Sequence, residues 1–318
     1  MAEGPPAPAV DAPARRRTGG GSAKPGRGVW TRTEAADGTA LAFRLDGGTA
    51  SRPAVVLCNG IACSDEYWRP LVGTLSRDRL VLRWDYRGHG RSGAPARREA
   101  VGPETVADDL LAVLDAAGLD EVVLVGHSFG VQVAATALPR LGARIRAFAA
   151  VAGAAGQPLG SVGGPLPAGR LVPGLAGPAG FLPEATTVLW RTLWDSPLPY
   201  WSARLLGGVS GAAPRAVMDD FSRHVGGLDP FVLADMMAAA EREDATDNLG
   251  ATPAPVLALA GRRDRLTPVR RLRALATVAP RGALAIHPRA THVLPAEAPE
   301  WVHRQLAPLL AEADRRPD

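Results

Sequence analysis

The residues best suited to chemistry in this chain are Gly126-His127-Ser128-Phe129-Gly130, which follow the apolar run Val122–Val125 and precede a helical stretch from Val131 to Ala137. A serine on a tight strand-to-helix turn sits in strained backbone geometry with its hydroxyl pushed outward, and small residues two before and two after relieve the crowding. Ser128 is therefore the candidate nucleophile. The turn also opens a helix, so the Phe129 backbone N–H points, with a favourable dipole, to where an oxyanion would form. Without its context, the same five residues would read as a glycine-rich turn with an incidental serine.

A serine hydroxyl is a poor nucleophile at neutral pH and needs an imidazole to take its proton. The chain has six histidines. His89 sits in a loop, His127 adjoins the nucleophile, His224 lies in a later helical region and His303 on the last helix. His292 falls in the loop just past an apolar strand, Ala283–Ile286, and in a parallel α/β sheet reacting groups collect at the carboxyl ends of strands. His292 is the candidate base and His287 the alternative. The imidazole must hold one tautomer and bear a transient charge, which calls for a carboxylate. Asp264 follows the strand Pro255–Ala260, at the same kind of position. It could instead cap the helix that begins near Pro268, or pair with Arg262, Arg263 or Arg265. A second oxyanion donor is expected from the loop Cys58-Asn59-Gly60-Ile61-Ala62, with the Ile61 N–H in that role.

These groups need a scaffold, and the rest of the sequence describes one. Val29 to Phe43 alternates around Asp37-Gly38, the pattern of an edge hairpin. Ala54–Leu57, Leu80–Trp84 and Val122–Val125 are continuous apolar runs, as expected of strands covered on both faces, and Ile145–Val151 reads as a further strand. Helical patterns alternate with them at Tyr67–Leu75 and at Pro103–Ala117, which Gly118 stops, and again after Ser128, after Thr267 and from Pro299. The fold class is thus α/β, with a mostly parallel, doubly wound sheet. From Gly153 to Gly250 the alternation breaks. Helical patches occur around Thr186–Trp194, Pro214–His224 and Pro230–Glu243, with no convincing strand. The segment reads as a helical insertion between core strands, although 156–183 could be a loose linker. Residues 29–152 and 251–318 form the core.

Composition narrows the function. At 318 residues with 46% hydrophobic side chains, the chain can bury a substantial core. Residues 1–28 hold five basic and two acidic side chains, three of the four net positive charges, so the body carries about +1. A nucleic-acid partner is not expected, because the body shows no basic stripe with interleaved aromatics. Nor is membrane insertion, because no run approaches the roughly 18 apolar residues of a span. The basic, Gly/Pro/Ser-rich residues 1–28 lack an apolar stretch after the arginines and read as a disordered tail rather than a signal peptide. Cys58 and Cys63 are too few for a disulfide framework or a four-ligand zinc site, and they fit a reducing, cytoplasmic setting. Oligomeric state has no signature in the sequence.

Taken together, the motifs resemble those of the α/β-hydrolase superfamily, in particular its bacterial capped esterases, lipases and cofactor-free haloperoxidase-like members. Gly126–Gly130 is similar to the family's nucleophile elbow, Asp85-Tyr86-Arg87-Gly88-His89-Gly90-Arg91-Ser92 to its D-x-R-G-x-G-x-S loop, and Gly261-Arg262-Arg263-Asp264 to its acid turn. Two departures stand out. The oxyanion loop reads Asn59-Gly60 where His-Gly is usual, and Val131 stands where a second glycine often follows the elbow and is expected to crowd the nucleophile helix. The resemblance implies that 153–250 is a lid over the site, that Asp85 and His89 are structural, and that neither a metal nor an organic cofactor is needed. It also implies hydrolysis of a carboxylic ester of a small or medium apolar molecule through an acyl-enzyme. Thioester, lactone or carbon–carbon hydrolysis and a non-catalytic ligand receptor are the alternatives. The aromatics Phe181, Trp190, Trp194, Tyr200, Trp201, Phe221 and Phe231 of the insertion suit either an apolar substrate or the insertion's own core.

Overall fold

The computed structural model describes residues 27–48, 51–157, 182–205 and 208–315. Strands β1 (Trp30–Glu34) and β2 (Ala40–Asp46) form the antiparallel hairpin at the sheet edge. Beyond it lie β3 (Ala54–Cys58), β4 (Val81–Asp85), β5 (Val122–His127), β6 (Ile145–Val151), β7 (Val256–Gly261) and β8 (Gly282–His287). The spatial order is β1-β2-β4-β3-β5-β6-β7-β8, antiparallel in the first two pairings and parallel in the rest.

The helices are α1 (Arg69–Leu75), α2 (Pro103–Ala117) and α3 (Phe129–Leu141), then α4 (Pro183–Asp195), α5 (Leu198–Leu205), α6 (Arg215–Gly227), α7 (Pro230–Arg242) and α8 (Thr246–Ala251) between β6 and β7, and finally α9 (Val269–Val278), α10 (Leu294–Glu297) and α11 (Pro299–Ala313). Because strand side chains alternate, β5 sends Val122 and Leu124 to one face and Val123 and Val125 to the other. The first face is covered by α2, α3 and α9, through Val106, Leu110, Val113 and Leu272. The second is covered by α1 and α11, through Leu71, Leu75, Val302 and Leu306. Each such fully buried aliphatic side chain is worth about 1.5–3 kcal/mol, which makes the doubly covered sheet a rigid platform.

Three expectations need adjustment. The helix expected over Tyr67–Leu75 is preceded by a 3₁₀ turn at Asp65–Trp68. Between β6 and β7 there are two helices beyond those read from the sequence, α5 and α8. The first was hidden by Pro199, and the second is only six residues long and contains Gly250. Helix α8 packs on α3 and α9, so the core side of the fold begins before residue 251. Residues 1–26 of the tail expected over 1–28, and residues 158–181 of the linker reading over 156–183, lie outside the described residues.

Candidate active site

The chain leaves β3 toward β4 on one side and leaves β5 toward β6 on the other, so the loops after β3 and β5 diverge and open a crevice at the carboxyl end of the sheet. Ser128 stands at that crevice with φ 53° and ψ −119°, a conformation that costs a non-glycine residue of order 1–3 kcal/mol. The strain is held from both sides. A Cβ at Gly126 would lie 2.4 Å from Gly130 O, and one at Gly130 would lie 2.1 Å from Cys58 O, so no larger residue fits at either position without a backbone shift.

His292 and Asp264 converge on the serine from the loops after β8 and β7. Nε2 of His292 is 3.0 Å from Ser128 Oγ, and its Nδ1 is 3.1 Å from Asp264 Oδ2. A carboxylate can only accept, so Nδ1 carries the proton and Nε2 presents its lone pair to the hydroxyl. The other Asp264 oxygen, Oδ1, accepts the N–H groups of Leu266 and Thr267, each at 2.8 Å. Asp264 thus closes its own turn with one oxygen and keeps the second on the imidazole, while the helix it was considered to cap has Pro268 at its N-cap and no side-chain cap bond. The Asp264 side chain is fully buried, which shelters this pairing from solvent.

The loop after β3 is held against the serine by a dense set of bonds. Asn59 donates Nδ2–H to Trp84 O at 3.0 Å and accepts Trp68 Nε1–H at 2.6 Å, and its carbonyl accepts the Tyr86 hydroxyl at 2.8 Å. Asn59 therefore anchors the loop despite its departure from the His-Gly pattern. His89 receives the Ala62 N–H on Nε2 at 3.3 Å, and Ala62 itself has φ 61°. Ile61 and Phe129 both line the same cavity as Ser128, and among the described residues neither backbone N–H has a hydrogen-bond partner.

The remaining histidines go elsewhere. His127 donates Nδ1–H to Val151 O at 3.1 Å and stacks on Tyr67 at 4.9 Å, and burial holds it neutral far below the usual imidazole range. His89 donates Nδ1–H to Arg87 O at 3.0 Å, and burial lowers its pKa to about 4. Nδ1 of His287 accepts the Ala290 N–H at 2.9 Å, and its ring packs on Trp301. His224 lies on α6 facing His89. Asp85 accepts the Arg91 N–H at 2.8 Å inside its own loop, and burial raises its pKa to about 6. Both cysteines are buried and their thiols are pushed up to about 12, so neither is a ready thiolate.

Above Ser128 lies a cavity of about 370 Å³. Trp190, Trp194, Tyr200, Met218, Phe221 and Val225, from the helices between β6 and β7, form much of its wall, and no Asp, Glu, Lys or Arg is among its described lining residues. Of the insertion's other aromatics, Trp201 is 58% exposed, the Phe231 ring faces Arg98, and Phe181 lies outside the described residues. Two contributors escaped the sequence reading. Tyr67 underlies His127, and Gly153 receives the elbow directly after β6; a glycine just past a strand's carboxyl end was the available signal for the second. No helix among the described residues is long and apolar enough to cross a membrane.

A family model described as alpha/beta hydrolase fold matches residues 53–302. Among curated proteins, one provisionally named carbamate hydrolase RutD, from Agrobacterium fabrum, is 34% identical over 89 residues, 28% of this chain and 34% of that protein. An epoxide hydrolase of Caballeronia sordidicola is 37% identical over 79 residues, 24% of either chain. This chain thus spans about a third or less of these curated relatives. A solved thermophilic esterase from Thermogutta terrifontis superposes with TM-score 0.70 at 22% identity, covering 90% of this chain and 100% of the other. The enol-lactonase of Burkholderia xenovorans LB400 gives 0.67 at 23%, covering 88% and 100%. These superpositions reflect a shared fold.

Proposed function

This chain belongs to the α/β hydrolase family, and from that premise we propose that it is a serine hydrolase that cleaves a carboxylic ester of an uncharged, apolar small molecule through an acyl-enzyme. The single observation that carries this reading is the continuous chain of contacts from Ser128 Oγ through His292 to Asp264, with separations of 3.0 and 3.1 Å.

In the first half-reaction Ser128 Oγ attacks the ester carbonyl while Nε2 of His292 takes the hydroxyl proton. The imidazolium is stabilised by Asp264, and the carbonyl oxygen, now anionic, is received by the N–H groups of Ile61 and Phe129. The carbon–oxygen bond to the alcohol then breaks and His292 returns the proton to the leaving oxygen. Water, deprotonated by the same imidazole, attacks the acyl-serine, releases the acid and restores the hydroxyl. Each oxyanion donor is expected to supply about 3–4 kcal/mol of transition-state stabilisation.

An apolar substrate is favoured because a charged group in the cavity would be desolvated without a charged partner among its described walls. In this reading helices α4 to α7 act as the lid. Epoxide opening is disfavoured because that chemistry in this family calls for a carboxylate nucleophile, and the elbow carries Ser128.

Labelling with a fluorophosphonate probe tests the proposal. Wild type is expected to react, and Ser128→Ala to lose labelling while remaining folded. A folded wild type that does not react would point to the ligand-receptor alternative. A panel of p-nitrophenyl esters, thioesters, lactones and carbamates then assigns the bond.

A further inference from the structure

Glu297 closes helix α10, five residues after His292, and its carboxylate joins two segments that border the site. Oε2 accepts the Thr291 N–H at 2.7 Å. Oε1 accepts the Ser210 N–H at 2.7 Å and lies 2.7 Å from Thr291 Oγ1, whose hydroxyl is also 3.0 Å from Gly208 O. Thr291 is buried and immediately precedes His292. Val293, on the other side of His292, packs with Val209, Ala213 and Met218. Gly208 and Val209 in turn line the cavity over Ser128.

We infer that Glu297 is a positioning residue, whose carboxylate fastens the His292 loop to the cavity wall at 208–210 and so keeps the imidazole aligned on Ser128 while substrate fills the cavity. The inference rests on the reading of Ser128, His292 and Asp264 as the reacting groups. His292 is placed on a loop rather than on a strand or helix, so its alignment depends on what the flanking backbone is tied to. Hydrogen bonds to a carboxylate are the short, strong kind, and the Glu297 contacts tie Thr291, the neighbour of the histidine, to Ser210 of the 208–210 strap. A shift of about 1 Å in a reacting group can lower a rate by about a hundredfold. The Thr291 hydroxyl, 3.0 Å from Gly208 O and 2.7 Å from Glu297 Oε1, adds to the same link.

The test uses the full chain as wild type, Glu297→Gln, Thr291→Val and Thr291→Ser, assayed with p-nitrophenyl acetate and p-nitrophenyl octanoate, with circular dichroism as the check on folding. Glu297→Gln turns an amide NH₂ toward one of the backbone N–H donors, and Thr291→Val replaces the hydroxyl with a methyl group that cannot bond Glu297 or Gly208. Both are expected to lower kcat about 10- to 100-fold on either ester. KM should rise for the octanoate alone, because only the longer acyl group reaches the 208–210 wall. Thr291→Ser, which keeps the hydroxyl, should recover most of the loss. Folded Glu297→Gln and Thr291→Val proteins with wild-type kcat on both esters would overturn the inference, as would a rise in KM with no fall in kcat. Should Glu297→Gln fail to fold, Thr291→Val decides the matter on the same readouts. A wild type that neither labels nor hydrolyses overturns the Ser128 reading, and this inference with it, whereas a reactive wild type with indifferent variants overturns this inference alone.

Discussion

Val131 occupies the space that Gly153 leaves open. A Cβ at Gly153 would lie 2.4 Å from Val131 Cγ2 and 2.4 Å from the carbonyl oxygen of Ser128. The crowding expected from Val131 at the start of α3 is thus absorbed by a missing side chain on the next strand's exit. Gly153→Ala should cost about 2–4 kcal/mol by forcing the elbow or the valine to move, read as a lower urea midpoint, and should slow fluorophosphonate labelling of Ser128. Adding Val131→Ala should recover only part of that loss, because the clash with the Ser128 carbonyl remains; full recovery in the double variant would mean the elbow itself was never constrained.

Asp264→Asn keeps the turn bonds from Leu266 and Thr267 available but can present an amide donor to His292 Nδ1. The imidazole would then favour the tautomer with its proton on Nε2, facing Ser128, where it cannot act as a base. Under the proposed mechanism, kcat on a p-nitrophenyl ester is expected to fall about 10⁴-fold with little change in melting temperature. A loss smaller than tenfold would remove Asp264 from the proposed mechanism.

His89 offers a pH test of the loop that carries Ile61. Burial lowers its folded pKa to about 4 from an ordinary 6.5, so the unfolded chain binds the extra proton first as pH falls. The stability associated with neutral His89 is complete above pH 6.5 and is lost progressively toward pH 4, by about 3 kcal/mol in all. Asp85 works in the opposite sense: its carboxyl is raised to about 6 from 3.8, so its contribution is present at low pH and lost as pH rises through about 6. Measuring wild type against His89→Gln cancels the Asp85 term. The stability difference should shrink as pH drops from 7 to 4, and a difference independent of pH would contradict the buried neutral state.

The cavity wall predicts selectivity by charge. A p-nitrophenyl ester with a neutral acyl chain should exceed one of equal length ending in a carboxylate by at least about a hundredfold in kcat/KM, since no Lys or Arg is among the described lining residues to pair with that charge. Comparable rates on the two esters would show that the acyl group does not enter the cavity.

Much of the molecule was legible in advance because its signals are local. Continuous apolar runs over Ala54–Leu57 and Val122–Val125 mark doubly covered strands, and helix α2 begins at Pro103 and ends at Gly118 as its residues require. Ser128, His292 and Asp264 were each identifiable because each follows a strand, and in a parallel sheet those ends must share one edge. Less was legible in the segment between β6 and β7, where prolines obscure α5 and α8 is too short for periodicity to register.

By itself, then, the sequence determined the layered α/β scaffold, the strained elbow and the identity of the residues brought to one end of the sheet, since propensity, periodicity and turn chemistry act over a few neighbouring positions. Only the tertiary structure decided the contacts between distant segments: the 3.0 Å approach of His292 to Ser128, the room that Gly153 makes for Val131, and the hold of Glu297 on both Thr291 and Ser210. Those depend on how separate loops pack against one another, and no local pattern encodes the distance between two residues that meet only after the chain has folded.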